Sequence, residues 1–360
     1  MKVGIMTFPH SVSYGCTLQM YALQQTVKTL GHEVEVIHYQ NEYMREEKHV
    51  VKKAGAPSMK EKLRKMARRL LHCRMYKAFT AFEMKNTELY PLKPFADRHM
   101  LELVGQRYNA IVCGSDQVWN PEITGCDLAY FLDFCNEKIR RVAYAPSFGI
   151  DVFSNEFRDR IRGELKRFYA LSAREASGQM LVRELTGCDV SVVMDPTFFL
   201  EEGEWKKLER EHPAAQEEYI LYFTVRSSKS LWEKTLEFSK QTGLKVVVVG
   251  GSVLKKKADG IEYAVDICPG QWIYLMRRAR YVVTNSFHGT AFSINFRKDF
   301  YLELSARTNS RLVQIVRAMG LENRIVEGAL EPSAANFSVV ENKLPELCRV
   351  SLEYLKQALQ

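Results

Sequence analysis

The richest chemical stretch of this 360-residue chain is Tyr281–Phe292, YVVTNSFHGTAF. Its apolar triplet Tyr281-Val282-Val283 reads as a short buried strand. Thr284-Asn285-Ser286 leaves that strand, His288 stands at the turn, and Gly289-Thr290 opens an apolar run of helical type. A strand, a polar turn and a helix start set an imidazole beside the unbonded N–H groups at the positive end of a helix dipole. Such a place can hold an anion and pass a proton near it. The bland alternative is a histidine that caps a helix inside a packed loop.

A second set stands at GSDQVWNP, residues 114–121, directly after the apolar run Ala110–Cys113. Gly114, Ser115, Asp116 and Gln117 combine a hydroxyl, a carboxylate and an amide at a strand end. Trp119 adds a flat face for a sugar or a base, while Asp116 could equally cap a helix. Ser172-Ala173-Arg174-Glu175 puts a guanidinium and a carboxylate side by side at another strand end. Arg174 could clamp a carboxylate or phosphate through two parallel hydrogen bonds, or form a structural pair with Glu175. Arg226 and Arg311 are further cations of the same kind. Ser13, Tyr14 and Gly15, with Gln19, form a glycine turn at a helix start, but the stretch is neither GxGxxG nor a Walker A sequence.

The elements that would position these groups alternate between strand and helix. Lys2–Thr7 reads as a strand, Leu18 to Leu30 carries helical spacing that stops at Gly31, and Glu33–Tyr39 is a second strand. This β-α-β opening is that of a doubly wound sheet. Further strands are expected at Ala110–Cys113, Tyr130-Phe131-Leu132, Arg141–Pro146, Ala170–Ala173 and Val190–Val193. The register restarts after the charged stretch Glu201–Glu218, with strands at Tyr219–Val225, Lys245–Val249, Tyr263–Ile267, Tyr281–Val283 and Asp299–Leu304. A terminal helix covers about Leu344–Leu359, with Pro345 in its first turn. The expected fold class is α/β, two Rossmann-like domains facing across a cleft. The first covers 1–198 with a basic helical insertion at about 45–90, the second covers 199–340, and 341–360 forms a helix crossing back to the first.

Composition narrows the function classes. The hydrophobic fraction is 46%, which excludes disordered and fibrous chains. No apolar run approaches the ~20 residues that span a bilayer, and MKVGIMTFPH lacks the h-region of a signal peptide, so a cytoplasmic location is expected. The eight cysteines include no CxxC pair, which argues against structural zinc and disulfide staples; no metal site is expected. The net charge of +8 suggests acidic partners. Much of it lies in Lys48–Arg74, where Lys48, Lys52, Lys53, Lys60, Lys62, Arg64, Lys65, Arg68, Arg69 and Arg74 face one acid, Glu61. This basic amphipathic stretch is either the solvated face of a packed helix or a peripheral contact with an anionic membrane, at its inner face. No nucleic-acid motif accompanies it, so no nucleic acid is expected.

The ordered set Ser13-Tyr14-Gly15, Leu18-Gln19, Tyr21-Ala22-Leu23, Gly114–Asn120, Ala143–Gly149, Ser172–Glu175, Asp195-Pro196-Thr197 and Asn285–Ser293 resembles the polysaccharide pyruvyl transferase family. The likeness spans about Lys2–Arg324. It implies a fold similar to GT-B glycosyltransferases and transfer of the pyruvyl unit of phosphoenolpyruvate to two hydroxyls of a sugar. The acceptor would be a surface polysaccharide or its lipid-linked precursor, and no cofactor is needed. The family's first turn often reads Asn-Tyr-Gly where Ser13 stands, and some members carry Arg at the position of Ser286. Another cation, Arg174, Arg226 or Arg311, must then hold the donor.

The resemblance implies His288 as acid/base, the Gly289-Thr290 N–H groups at the phosphate, and Arg174 as clamp. Asp116 follows as base or hydroxyl ligand, Trp119 as sugar platform, and Glu175 as the group orienting Arg174. Two other readings compete: a nucleotide-sugar glycosyltransferase of GT-B fold, and a catalytically silent membrane scaffold resting on the basic helix.

Overall fold

The computed structural model describes residues 1–47, 59–150, 153–250, 259–304 and 310–360. The chain forms two compact units. The first comprises Met1–Ala54, Glu83–Phe199 and Pro345–Gln360. Its sheet contains β1 (Lys2–Met6), β2 (Glu33–Tyr39), β3 (Leu89–Phe95), β4 (Ala110–Cys113) and β5 (Arg140–Ala143). The order is β3-β2-β1-β4-β5 and every pairing is parallel, with Val3 between Val34 and Ala110. A short parallel pair, β6 (Ser172–Ala173) and β7 (Ser191–Val192), follows.

The continuous apolar runs of β1 and β4 suit strands covered on both faces. One face packs with Trp119, Phe131, Phe148 and Phe157. Leu23 and Val27 of the Tyr14–Thr29 helix cover the other, with Leu355, Ala358 and Leu359 of the C-terminal helix. That last helix runs Ser338–Leu359, so Pro345 lies inside it and not in its first turn.

One further expectation gives way. Tyr130-Phe131-Leu132 is not a strand. The segment is a 3₁₀ turn over Leu128–Phe131, because the Asp127 carboxylate accepts the Ala129 N–H at 2.9 Å and Leu132 turns left-handed at φ 58°. A local side-chain acceptor there competes successfully with sheet pairing. Conversely, the proline-bearing stretch Leu89–Phe95 is a strand, and it sits at the sheet edge, where Pro91 and Pro94 cost no ladder bonds on the open side.

The second unit comprises Gly55–Phe82 and Leu200–Leu344. Its strands are β8 (Tyr219–Phe223), β9 (Lys245–Val249), β10 (Ile261–Ala264), β11 (Tyr281–Thr284) and β12 (Asp299–Leu302). They run β10-β9-β8-β11-β12, again all parallel. The topology is that of the first unit: the first strand is central, and the strand order reverses beside it. A helix runs Met59–Asn86. Lys48, Lys52 and Lys53 of the basic segment lie outside the described residues, as do that helix's side chains up to residue 72. No helix among the described residues is long and apolar enough to cross a membrane.

Leu355 is fully buried against the first sheet. Truncating it to alanine removes that packing and leaves a cavity, which should lower stability by about 2–5 kcal/mol. A denaturant titration following the first unit's tryptophan, Trp119, is expected to show the shifted midpoint.

Candidate active site

In both units the polar groups gather where the strand order reverses, at the carboxyl ends of β1 and β4 and of β8 and β11. This is where open α/β sheets hold ligands.

In the first unit Gly114 ends β4 with φ 124°, and a Cβ there would fall 2.0 Å from the Tyr144 carbonyl oxygen. Only glycine fits this approach. Ser115 is fully buried; its N–H donates to Gln19 Oε1 at 3.2 Å, and its hydroxyl to Ala145 O at 3.1 Å. Gln19 Nε2 donates to Thr7 Oγ1 and to Cys16 O, both at 3.0 Å, tying the ends of β1 and β4 to the Tyr14–Thr29 helix. Ser13 caps that helix through the Cys16 N–H, and Tyr14 and Gly15 are buried in its first turn. Gln117 is half-buried and accepts from Asn120 Nδ2 at 2.9 Å.

The centre of this set is an ion triad. Arg174 donates to Asp195 Oδ2 at 2.8 Å and to Asp116 Oδ1 at 3.3 Å, and the three side chains are 2%, 0% and 8% exposed. Burial opposes the Arg174 charge, and the carboxylates of Asp116, Asp195 and Glu175 more than offset it, raising its pKa. Asp195 also accepts the Thr197 N–H at 3.0 Å and its hydroxyl at 2.8 Å. The Cys16 thiol donates to Asp116 Oδ2 at 2.7 Å. Burial and then the Asp116 charge push that thiol well above the ordinary range, although it stands at a helix start.

Three expectations for this unit are corrected. Arg174 is engaged by two buried aspartates and serves the frame; it does not stand as a clamp for a donor. Glu175 accepts from Ser147 Oγ at 2.8 Å, and its charge adds to those of Asp116 and Asp195 around Arg174. Trp119 presents no face to a sugar. It is fully buried, stacked on Phe131 at 5.4 Å between ring centroids, with Phe148 at 5.2 Å, and its Nε1 donates to Tyr130 O. Asp116 is not a helix cap but an ion-pair and hydrogen-bond acceptor at φ 71°.

A feature the sequence did not signal lies at the end of β1. His10 Nδ1 sits 2.7 Å from Glu83 Oε2, which also accepts the His10 N–H at 2.8 Å, and Thr17 donates to Glu83 Oε1 at 2.7 Å. His38 in β2 stands edge-on to His10, ring centroids 4.4 Å apart. Its Nδ1 lies 2.8 Å from Pro91 O, and since a carbonyl only accepts, Nδ1 carries the proton.

In the second unit Ser286 caps the Phe287–Asn295 helix, its hydroxyl accepting the Gly289 N–H at 3.3 Å. That explains a serine where an arginine was a possible alternative: arginine has no acceptor to offer the helix. A Cβ on Gly289 would lie 2.3 Å from Thr284 Oγ1, so glycine lets the helix start abut β11. Thr290 is fully buried and donates back to Ser286 O. His288 is the second residue of the helix, 8% exposed, edge-to-face with Phe287 at 5.3 Å.

Asn285 joins the two strand ends of this unit. It accepts the Val225 N–H at 3.0 Å and donates to Arg226 O at 2.9 Å, which brings exposed Arg226 beside the motif. Arg311 approaches from the Ser310–Ala318 helix, its guanidinium 5.9 Å over the Phe287 ring. The helix start thus carries an imidazole, with the Arg311 guanidinium over Phe287 and the Arg226 backbone at Asn285, whereas the first unit's set is dominated by Asp116, Asp195, Glu175 and Glu83.

Comparison with known proteins completes the picture. Residues 14–302 match the family model for polysaccharide pyruvyl transferase. No curated protein sequence matches the chain. A Listeria monocytogenes protein assigned as a UDP-N-acetylglucosamine 2-epimerase superposes with a TM-score of 0.54 at 10% identity, covering 99% of this chain and 90% of that one. The Rickettsia bellii UDP-N-acetylglucosamine 2-epimerase gives 0.53 at 8% identity, covering 97% and 87%. S. aureus MnaA, solved with UDP, gives 0.50 at 11% identity, covering 99% and 91%. The likeness is one of fold, the GT-B type with two parallel-sheet units.

Two outcomes follow from the geometry. Arg174→Met leaves Asp116 and Asp195 buried without their counter-ion and should cost about 3–5 kcal/mol of stability; calorimetry of the purified variant checks it. Burial holds His38 down at about 4 against an ordinary 6.5, opposed by Pro91 O and aided by His10. The unfolded chain therefore takes up this proton first as pH falls. Stability from this group is flat above pH 6.5, declines between 6.5 and about 4 by roughly 2–3 kcal/mol, and the decline should shrink in His38→Gln when melting is followed against pH.

Proposed function

The chain belongs to the polysaccharide pyruvyl transferase family, and on that premise we propose that it transfers pyruvyl from phosphoenolpyruvate to two hydroxyls of one sugar. The acceptor is a surface polysaccharide or its lipid-linked precursor, and the product is a ketal. The observation that carries the reading is that His288 opens the Phe287–Asn295 helix with the Arg311 guanidinium over Phe287 and the Arg226 backbone bonded to Asn285. A trianionic donor suits that basic set, and the acidic set around Asp116 suits neutral hydroxyls.

The reaction balances without a cofactor. His288 delivers a proton to the donor's methylene carbon, which becomes methyl, and C2 gains positive charge. A sugar hydroxyl oxygen attacks C2 and loses its proton to a base. The second hydroxyl then attacks C2, the C2–O bond to phosphate breaks, and phosphate departs with that electron pair. Of the two hydroxyl protons, one balances the proton on the methyl group and the other leaves with phosphate. Arg226, Arg311 and the N–H groups of the helix start stabilise the departing phosphate, a charge that grows in the transition state. Asp116, fixed by Arg174 and Cys16, accepts from a sugar hydroxyl.

Purified protein incubated with phosphoenolpyruvate and a free or lipid-linked galactose-type acceptor should release phosphate in proportion to ketal formed. His288→Ala should lower kcat by about 10²–10⁴, and Arg226→Ala should chiefly raise KM for phosphoenolpyruvate. Full activity in His288→Ala would remove that residue from the mechanism. Thermal stabilisation by UDP-sugars with indifference to phosphoenolpyruvate would favour glycosyl transfer instead.

A further inference from the structure

We propose that Glu303 and Asn285 are positioning residues that brace the Thr224–Ser228 loop of the second unit, and that this brace sets Arg226 in place for an anionic donor. The proposal rests on the pyruvyl-transfer reading for the identity of that donor; the brace itself stands on the second unit's own bonds.

The five-residue loop joins the end of β8 to the Lys229–Thr242 helix, and Val225, Arg226 and Ser227 in it are exposed. Val225 is 64% exposed, so apolar burial does not hold it. Such a segment is ordered only by specific bonds that offset its lost backbone freedom. Two side chains supply them, each from a neighbouring strand end. Asn285, after β11, accepts the Val225 N–H at 3.0 Å and donates to Arg226 O at 2.9 Å. Glu303, after β12, accepts from the Ser228 hydroxyl at 2.7 Å. That hydroxyl also accepts the Leu231 N–H at 3.1 Å, so one serine caps the helix and anchors the loop. The Glu303 N–H donates to Thr284 O at 2.9 Å, which registers Glu303 on the strand that leads to Asn285. Arg226 is therefore fixed at its own backbone and again at Ser228.

The sign of its charge shows how Glu303 serves the site. A carboxylate near a trianionic donor opposes binding, so attraction to the donor is not its contribution. What it adds is the bond to Ser228 and a negative charge at the start of a 14-residue helix. Asn285 carries an amide, which donates and accepts hydrogen bonds without titrating. Both residues act through the loop. Glu303 stands 75 residues from Ser228 and outside every motif, so the sequence hides the link.

Two measurements on the full chain test the brace. The Val225 amide should exchange its hydrogen slowly in the wild type and faster in both Asn285→Ala and Glu303→Ala. Glu303→Gln, whose amide oxygen still accepts from Ser228, should exchange slowly again. Unchanged exchange in Glu303→Ala overturns the proposal whatever the donor. In phosphate release, Glu303→Ala should raise KM for phosphoenolpyruvate about 3–10-fold, the size of one lost hydrogen bond, with kcat little changed. Glu303→Gln should restore KM, and Glu303→Ala added to Arg226→Ala should raise it no further. A variant that is merely less stable lowers the apparent kcat and leaves KM alone, and that result overturns the proposal. Multiplying KM effects in the double variant overturn it too, as does a lost kcat in Glu303→Gln, which would make the carboxylate part of the chemistry. If the wild type turns over a UDP-sugar and not phosphoenolpyruvate, the donor reading fails. The same exchange rates, and the same cycle on KM for that donor, still decide the brace.

Discussion

The first unit is built around one buried charge. Arg174 is held between Asp195 and Asp116 at 2.8 and 3.3 Å, nearly out of contact with water. Three desolvated charges are tolerable only where every partner is in place, because removing one leaves the others uncompensated. The requirement reaches outward: Thr197 completes Asp195, Cys16 completes Asp116, and Ser115 and Gln19 hold the turn that presents Asp116. The ends of β1, β4, β6 and β7 are thereby fixed to one another.

The second unit solves the converse problem with the same topology. In both, the first strand is central and the strand order turns beside it, so a polar loop after the fourth strand meets one after the first. Sheets covered on both faces leave strand ends as the natural place for polar side chains. At the end of β4 this place carries Asp116; at the end of β11 it carries Asn285, Ser286 and His288. Asn285 performs the joining work that Gln19 performs in the first unit, linking the loop after β11 to the loop after β8. The outcome there is basic, with Arg226 and Arg311 near a helix start.

Much of this was legible in the sequence. The runs Lys2–Thr7, Ala110–Cys113, Tyr219–Val225, Lys245–Val249 and Tyr281–Val283 are apolar but for a residue or two near their ends, as suits strands buried on both faces. The polar clusters that follow them announced the strand ends. Pairing across long separations was not legible. Arg174 reads naturally with its neighbour Glu175, yet its bonds go 21 and 58 residues away. The His10–Glu83 pair spans 73 residues, with a long helix between, and neither residue stands in a motif. Trp119 misled for a related reason: beside a polar motif it suggests a sugar platform, while the aromatic rings that enclose it come from Phe131, Phe148 and Phe168. Pro91 and Pro94 hid an edge strand, and the Asp127 cap turned an apolar triplet away from the sheet.

The central claim is that a proton from the protein reaches the methylene carbon of phosphoenolpyruvate as two sugar hydroxyls close on C2. Turnover in deuterated water, with the product's methyl group read by NMR and mass spectrometry, tests it most directly. Pyruvyl transfer through His288 predicts a ketal whose methyl group has gained deuterium from solvent. A ketal with an unlabelled methyl group, or a sugar product that carries no pyruvyl group at all, would contradict it.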